Sequence, residues 1–261
     1  SLAKVVQSSE LKTLENKDVL LQTASFGNSS TKKPVKPKNF EKIEKNILLG
    51  KFDYKKDSNF SIVSSKYSSK TIYLRNEVLL KFDQMYNAAL KDGIKLVIIS
   101  GTRSFNHQKY IWDRKWAKNI QKMDSISAVK EIMKYSSMPS TSRHHWGTDI
   151  DLNNLENSYF EIGEGKKIFD WLVENAFKYG FHMTYDNQEE TKRTGYKMEK
   201  WHWSYMPISE QFLIQFNEYI NCENISSFKG SKFACHPKVD VIKNFVNGIN
   251  TDFKKIINVT E

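Results

Sequence analysis

Two short stretches of the chain contain the side chains that could do chemistry. The first holds His144 and Asp151, and the second holds Glu199 and His202. Two imidazoles and a carboxylate suit a catalytic zinc site, which keeps a fourth position open for water. A glutamate beside the metal, but not bound to it, could act as the general base. The four residues therefore predict a zinc hydrolase in which His144, Asp151 and His202 are the ligands.

The spacing within each stretch sets conditions on the backbone. His144 and Asp151 are too far apart for one helix face with Gly147 between them, so we expect a turn at His144 and a strand at Asp151. Glu199 and His202 are three residues apart, and in a regular strand such residues face opposite ways. If both face one metal, the backbone must bend between them.

Strands and amphipathic helices must position these groups. Over 148–152, Asp149 and Asp151 share one face of a predicted strand, and a second strand over 201–205 carries His202. Other strands are predicted over 94–99 and 181–184, and helices over 76–91, 126–134, 164–178, 209–220 and 238–246, with Ser104 capping one more helix.

The order of these elements indicates the fold class. Strands and helices do not alternate regularly enough for a doubly wound parallel sheet, which favours α+β. We expect a small antiparallel sheet that carries the zinc site and is flanked by helices. Residues 41–261 would form this domain, with a motif core over 70–206 and a helical extension over 207–261.

The composition permits one large domain or two small ones. The chain has 261 residues, of which 39% are hydrophobic and 13% aromatic, enough for a packed core. Lys and Arg number 40 against 30 Asp and Glu, so an anionic partner such as nucleic acid, a membrane surface or an acidic wall polymer is favoured electrostatically. The basic residues are scattered and no nucleic-acid-binding motif accompanies them, so we predict no nucleic-acid partner.

The N-terminal segment 1–40 is rich in Ser, Lys, Asn and Thr, which predicts a flexible linker or arm. An extension wrapped on the domain is the alternative. No apolar run reaches the ~18 residues that a membrane span needs, and the first residues do not form a signal peptide. We therefore expect no transmembrane or signal segment within this chain.

Two cysteines lie near the C-terminus. Cys222 and Cys235 could form a disulfide in an oxidising compartment, and two buried thiols are equally compatible with the sequence. Neither belongs to a Cys-x-x-Cys motif, so we expect no cysteine ligation of the metal.

The two stretches together resemble a known family of bacterial enzymes. Ser142-x-His144-x-x-Gly147-x-Asp149-x-Asp151, followed by Glu199-x-Trp201-His202, is similar to the VanY/LdcB-like zinc D-Ala-D-Ala and L,D-carboxypeptidases, which are LAS-type metallopeptidases. The resemblance extends to Ser100–Ser104 with Gln108 and to Thr194-Gly195-Tyr196. It covers roughly residues 70–206.

The resemblance implies a role for each matching residue. His144, Asp151 and His202 would hold one zinc ion per chain, Glu199 would be the catalytic base, Arg103 would bind the scissile carbonyl or the terminal carboxylate, and Gln108 and Ser142 would help bind the peptide end. A guanidinium fork also fits a carboxylate or a developing oxyanion better than an ammonium group does, which supports the assignment of Arg103.

This sequence departs from the family pattern at two positions. Asp149 stands where a small residue is usual, and it could hold a ligand histidine by a hydrogen bond, compete as a ligand or contact a substrate amine. We favour the hydrogen bond to a histidine. Lys200 stands where proline is common, which removes a fixed φ but no chemical group.

The function implied is a zinc carboxypeptidase that removes the terminal D-alanine of peptidoglycan stem peptides, with D,D- or L,D-specificity left open. Such an enzyme would be exported to the bacterial cell envelope, with residues 1–40 as a tether, and we favour a monomer. The alternative is a zinc-containing peptidoglycan-binding module without catalysis, in which Asp149 could fill the open position on the metal and suppress turnover.

Overall fold

The computed structural model describes residues 41–252, and the arm predicted over 1–40 lies outside them. The helices are α1 (Lys45–Leu48), α2 (Asn76–Lys91), α3 (Phe105–Asn119), α4 (Ser125–Ile132), α5 (Gly163–Asn175), α6 (Gln188–Thr191) and α7 (Met206–Tyr219). The strands are β1 (Phe60–Ile62), β2 (Tyr73–Arg75), β3 (Ile98–Ser100), β4 (Asp149–Leu152), β5 (Phe181–Met183) and β6 (His202–Tyr205). Within the described range, no helix has both the length and the apolar character to span a bilayer.

Four of the strands form an antiparallel sheet in the order β3-β4-β6-β5, while β1 and β2 form a separate hairpin. β4 lies inside the larger sheet, and its register with β6 sets Asp151 opposite His202. Because side chains alternate along a strand, Asp149 and Asp151 project from one face of β4 and Ile150 and Leu152 from the other. The predicted α+β class with a small antiparallel sheet is confirmed.

The apolar face of this sheet packs against α2 and α5. The shared cluster includes Val78, Phe82 and Met85 of α2, Ile150 and Leu152 of β4, Ile168 and Leu172 of α5, and Trp203 of β6. α2 has the bounds predicted for it, and its buried residues recur at helical spacing. This core supports β4 from behind, so the opposite face of the strand presents its two carboxylates from a fixed backbone.

A second apolar cluster joins α3 and α4 to the chain that follows α7. Its members include Phe105, Trp112, Val129, Ile132, Phe228, Val239 and Val241. Trp112 Nε1 donates a hydrogen bond of 2.7 Å to the carbonyl oxygen of Lys229. A disulfide joins Cys222 to Cys235 in this region, so of the two alternatives left by the sequence the structure has the bonded pair.

Several elements differ from their predicted bounds by one to three residues, and two differ by more. The strand predicted over 94–99 forms only at Ile98–Ser100, because Asn153 occupies the backbone groups before it: its side chain accepts from Val97 N and donates to Lys95 O. The helix predicted over 238–246 is reduced to one π-helical turn, Ile242–Val246. Asp240, at φ +41°, lies outside the helical region and delays the start of the helix.

Candidate active site

Three backbone segments bring the predicted ligand residues together. His144 lies in a short 3₁₀ turn, Asp151 on β4, and His202 opposite it on β6. Gly147 ends the turn at φ +73°, and a Cβ there would lie 2.3 Å from the ring of Phe60. The turn expected before β4 is therefore present, and it directs His144 toward Asp151.

The three side chains present one donor atom each to a common point. Asp151 Oδ1 lies 3.4 Å from His144 Nε2 and 3.3 Å from His202 Nδ1. Two zinc bonds of ~2.0–2.2 Å at a tetrahedral angle would separate their donor atoms by ~3.3–3.5 Å, so these spacings fit zinc. His144 Nδ1 donates to Gly101 O over 2.8 Å, which leaves Nε2 with the lone pair. His144 Nε2 and Asp151 Oδ1 are both buried and have no hydrogen-bond partner among residues 41–252.

Asp149 lies on the far side of His202 from these donor atoms. Its Oδ2 is 2.7 Å from His202 Nε2 and accepts from Arg143 Nε over 3.0 Å, while Oδ1 accepts from the hydroxyls of Thr148 and Ser204 over 2.7 and 2.8 Å. Burial by itself would raise the pKa of Asp149, but the Arg143 guanidinium and the His202 hydrogen bond outweigh it and hold the pKa below its usual range. With Nε2 bound to Asp149, His202 Nδ1 faces Asp151.

Glu199 reaches the same point through a tight turn. His202 N donates to Glu199 O over 3.1 Å, so the chain bends between the two residues as predicted, and Glu199 Oε2 lies 3.4 Å from His202 Nδ1. Lys200 uses its N–H, which a proline would lack, to bind Asn157 Oδ1 over 3.0 Å. Burial is the main cause that raises the pKa of Glu199, and its hydrogen bond with His202 opposes the rise. A carboxylate with a raised pKa is suited to accept and return a proton.

The carboxylates around His202 create a negative electrostatic potential, and its effect is evident in the pKa of His202. Burial would lower the pKa of His202, but the hydrogen bond with Asp149 and the nearby carboxylates of Asp151 and Glu199 outweigh burial and raise the pKa well above its usual value. Three carboxylates around one imidazole favour a cation at this point. The arrangement thus combines a suitable donor set with a suitable field for a divalent metal.

Arg103 forms the edge of the group beside Asp151. Its Nη2 lies 3.7 Å from Asp151 Oδ2, its Nη1 donates to Gln108 Oε1 over 3.1 Å, and its Nε is buried without a partner among the described residues. Its backbone N donates to His144 O over 3.0 Å, and its carbonyl accepts from His145 Nδ1 over 2.7 Å. The guanidinium is thereby held close to the metal-donor atoms, and its Nε–H has no hydrogen-bond partner among the described residues.

A cleft of about 730 Å³ opens onto these side chains. The site residues on its surface are Arg103, Ser142, His144, Asp151, Glu199 and His202. Gln108 is 1% exposed and lies behind Arg103 rather than on the cleft surface. Asp149 is likewise fully buried, behind His202. The sequence-predicted residues therefore come together in two layers, six at the cleft and two behind it.

The model of the VanY family, described as D-alanyl-D-alanine carboxypeptidase, matches residues 71–208, a span that includes every residue of this site. The chain belongs to the VanY family. The predicted resemblance is confirmed, and the chain is a member of a peptidase family.

Two curated relatives show how much of the chain is shared. The YodJ protein of Bacillus subtilis is 33% identical over 153 residues, which is 56% of this chain and 51% of YodJ. A D-alanyl-D-alanine carboxypeptidase of Enterococcus faecalis is 30% identical over 147 residues, or 53% of this chain and 52% of that protein. The chain thus spans about half the length of the curated relatives it matches.

Solved structures give a further comparison. A mutant of the vancomycin-resistance D,D-pentapeptidase VanY, solved in complex with Zn(II), is 25% identical to this chain. The match covers 62% of this chain and 94% of the other, with a TM-score of 0.46.

Several residues of this VanY-family site were not predicted from the sequence. Arg143 lies inside the first motif, but only the fold reveals its ion pair with Asp149. Tyr185 lines the cleft and places its ring 4.8 Å from that of His202. Lys115 reaches the cleft from α3, seven residues after Gln108. Because residues seven apart share a helix face, this spacing is the feature of the sequence that could have identified Lys115.

His145 connects two backbone segments of the site. Its Nε2 accepts from Ser140 N over 3.1 Å, while its Nδ1 donates to Arg103 O. Burial lowers the pKa of His145 to about 3, which keeps the ring neutral. His145 therefore supports the backbone of Arg103 and directs neither nitrogen at the metal donors.

Proposed function

We propose that the protein is a zinc-dependent carboxypeptidase that hydrolyses the terminal D-alanine bond of peptidoglycan stem peptides. The observation that supports it best is the pair of buried donors without partners, His144 Nε2 and Asp151 Oδ1, which lie at zinc-like spacing next to His202 Nδ1 and Glu199. The substrate class is proposed from the VanY family and from the relative named as a D-alanyl-D-alanine carboxypeptidase.

In this proposal His144 Nε2, Asp151 Oδ1 and His202 Nδ1 hold one zinc ion per chain. When bound, the ion acidifies a water molecule and polarises a carbonyl group. Glu199, buried beside His202, takes the proton of the attacking water and returns it to the leaving amine. General acid–base catalysis of this kind contributes typically ~10²–10⁴ in rate.

Arg103 would stabilise the negative charge that develops on the scissile carbonyl oxygen. Its guanidinium is already held by Gln108 and Asp151, so little reorganisation is needed when charge appears, and its unpartnered Nε supplies a donor. Gln108 acts from behind by fixing Arg103, and Ser142, on the cleft surface, would bind the peptide end. Asp149 would set the ring orientation of His202.

A zinc-binding module without catalysis is the rival function, and in it Asp149 could suppress turnover by filling the open position on the metal. The contacts of Asp149 give that role no support. Both of its oxygens are engaged on the far side of His202, with Arg143, Thr148 and Ser204. We therefore keep catalysis as the proposal.

The substrate would place the protein in the cell envelope, outside the cytoplasmic membrane. The Cys222–Cys235 disulfide supports this proposal because such bonds persist in oxidising compartments. Residues 1–40 would serve as a linker or tether, and the catalytic domain over 41–261 would act as a monomer.

The test uses zinc-loaded protein with a stem pentapeptide and a stem tetrapeptide in separate reactions, and mass spectrometry identifies the products. We expect loss of one D-alanine, and the substrate that is cut distinguishes D,D- from L,D-specificity. Glu199→Gln is the matched control: it should keep its zinc, measured by elemental analysis, and lose turnover by at least ~10²-fold. Zinc loss from that variant would contradict the role as base, and no cleavage by zinc-loaded wild type would refute the proposed function.

A further inference from the structure

Lys115, a half-buried cation of the cleft, has no acidic partner among the described residues. The cations that line the cleft are Arg103, Arg114, Lys115 and Arg143. Arg143 and Arg103 are bound to aspartates of the site, as described above, and Arg114 is exposed. Lys115 is half-buried, and no carboxylate of residues 41–252 lies within ion-pair distance of it; its Nζ donates to Ser136 Oγ.

Lys115 lies next to the groups that fix Arg103. Helical residues seven apart share a face, and helical side chains lean toward the N-terminus, so the Lys115 side chain extends back toward Gln108. Gln108 Nε2 donates to Ser137 O over 2.8 Å, and Lys115 donates to the adjacent Ser136. Arg103 and Lys115 therefore both line the cleft, and they are linked behind its surface by Gln108 and the adjacent residues Ser136 and Ser137.

The electrostatics of Lys115 favour an anion from outside the chain. A partly buried ammonium without a carboxylate loses hydration that no ion pair replaces. Burial is accordingly the main cause that lowers the pKa of Lys115, and the negative charge of Glu199 only partly opposes it. Lys115 and Glu199, the proposed proton acceptor, line the same cleft.

A carboxypeptidase must recognise the free carboxylate one residue beyond the scissile bond. One residue of extended chain spans at most ~3.6 Å, so the group that binds this carboxylate must lie close to the group that faces the carbonyl. In the proposed function Arg103, paired with Asp151, faces the carbonyl, and Lys115 lines the same cleft. We propose that Lys115 binds the terminal carboxylate of the substrate peptide and thereby restricts cleavage to the last bond of a chain with a free C-terminus; this inference rests on the proposed function.

The experiment compares a stem peptide that has a free terminal carboxylate with the same peptide as its C-terminal amide. Zinc-loaded wild-type protein should prefer the acid in kcat/KM, and Lys115→Met should lower kcat/KM for the acid by roughly 10- to 100-fold, as expected for a hydrogen bond to a charged group. The rate on the amide should stay unchanged in Lys115→Met. Lys115→Arg should keep the preference, and Lys118→Met, which removes an exposed charge from the same helix, is the matched control.

Binding gives a second measurement that does not depend on turnover. Calorimetry with zinc-loaded Glu199→Gln should show the same preference for the acid, and adding Lys115→Met should abolish it. Equal loss on acid and amide, or a preserved preference in Lys115→Met, would overturn the role of Lys115. If wild type cleaves neither peptide, the proposed function fails, while the calorimetric comparison still decides whether Lys115 binds the carboxylate.

Discussion

Replacing Asp149 with asparagine should weaken both the metal-free fold and zinc binding. Asparagine keeps the shape of the side chain: its oxygen can face His202 and Arg143, and its amide can donate to the hydroxyls of Thr148 and Ser204. The change therefore removes charge with little loss of packing. Arg143 is 2% exposed and has no other ion-pair partner among the described residues, so its guanidinium would remain buried and unpaired.

Two separate magnitudes follow from these contacts. Removing one partner of a buried ion pair costs about 3–5 kcal/mol, so the free energy of unfolding of the metal-free protein should fall by that amount. Loss of the carboxylate that holds a metal-bound histidine typically weakens metal affinity by about 10- to 100-fold, so the dissociation constant for zinc should rise by that factor. The first effect acts through Arg143 and the second through His202.

Urea unfolding of the metal-free protein and zinc titration against a competing chelator measure the two effects. Arg143→Met combined with Asp149→Asn should recover part of the stability, because no charge is left unpaired, but none of the zinc affinity. Asp170→Asn is a control at the exposed ion pair with Lys166, where we expect about 0–1 kcal/mol. If Asp149→Asn unfolds at the wild-type urea concentration and binds zinc as tightly, the carboxylate supports neither Arg143 nor His202.

Two further outcomes are expected. Cys222→Ser with Cys235→Ser should lower the free energy of unfolding by about 3 kcal/mol, because the disulfide closes a loop with a sequence separation of 13, and a reductant should affect only the wild type in thermal melts. Burial lowers the pKa of His182 to about 4 from 6.5, so the unfolded chain binds the proton first. Protonation of His182 thus does not affect stability above pH ~6.5. As the pH falls toward ~4, it lowers the free energy of unfolding by about 1–2 kcal/mol, a figure reduced to allow for the partial exposure of the side chain. His182→Gln should lose this part of the slope in urea unfolding at several pH values, and an unchanged slope would exclude the role.

The ligand residues were predictable because each spacing has a direct geometrical meaning. Alternation along β4 sets Asp149 and Asp151 on one face whatever surrounds the strand, and a turn at Gly147 is the simplest way to bring His144 back to it. The bend between Glu199 and His202 followed from the same period of two. These inferences need only local backbone geometry, which a short stretch of sequence is enough to predict.

The residues that the sequence did not reveal depend on contacts between distant segments. The position of Lys115 depends on its hydrogen bond to Ser136, which follows another helix. Gln108 lies behind Arg103 because Ser137 O accepts a hydrogen bond from its amide. The predicted strand is shorter because the Asn153 side chain takes backbone hydrogen-bonding groups that a neighbouring strand would otherwise use. β-propensity does not describe this effect. In each case a side chain competes for backbone or polar partners that only the folded chain brings near.

The spacing of the metal donors is a consequence of the sheet register. The pair Asp151–His202 is adjacent to the pair Ile150–Trp203, whose side chains belong to the apolar cluster on the other face. A shift of β4 by one residue would place Ile150 at the donor position and bury Asp151 among apolar side chains, which desolvation of a carboxylate opposes strongly. The apolar core therefore determines the donor geometry before any metal binds. Zinc would then stabilise the folded state by mass action alone, since its ligands need not be rearranged.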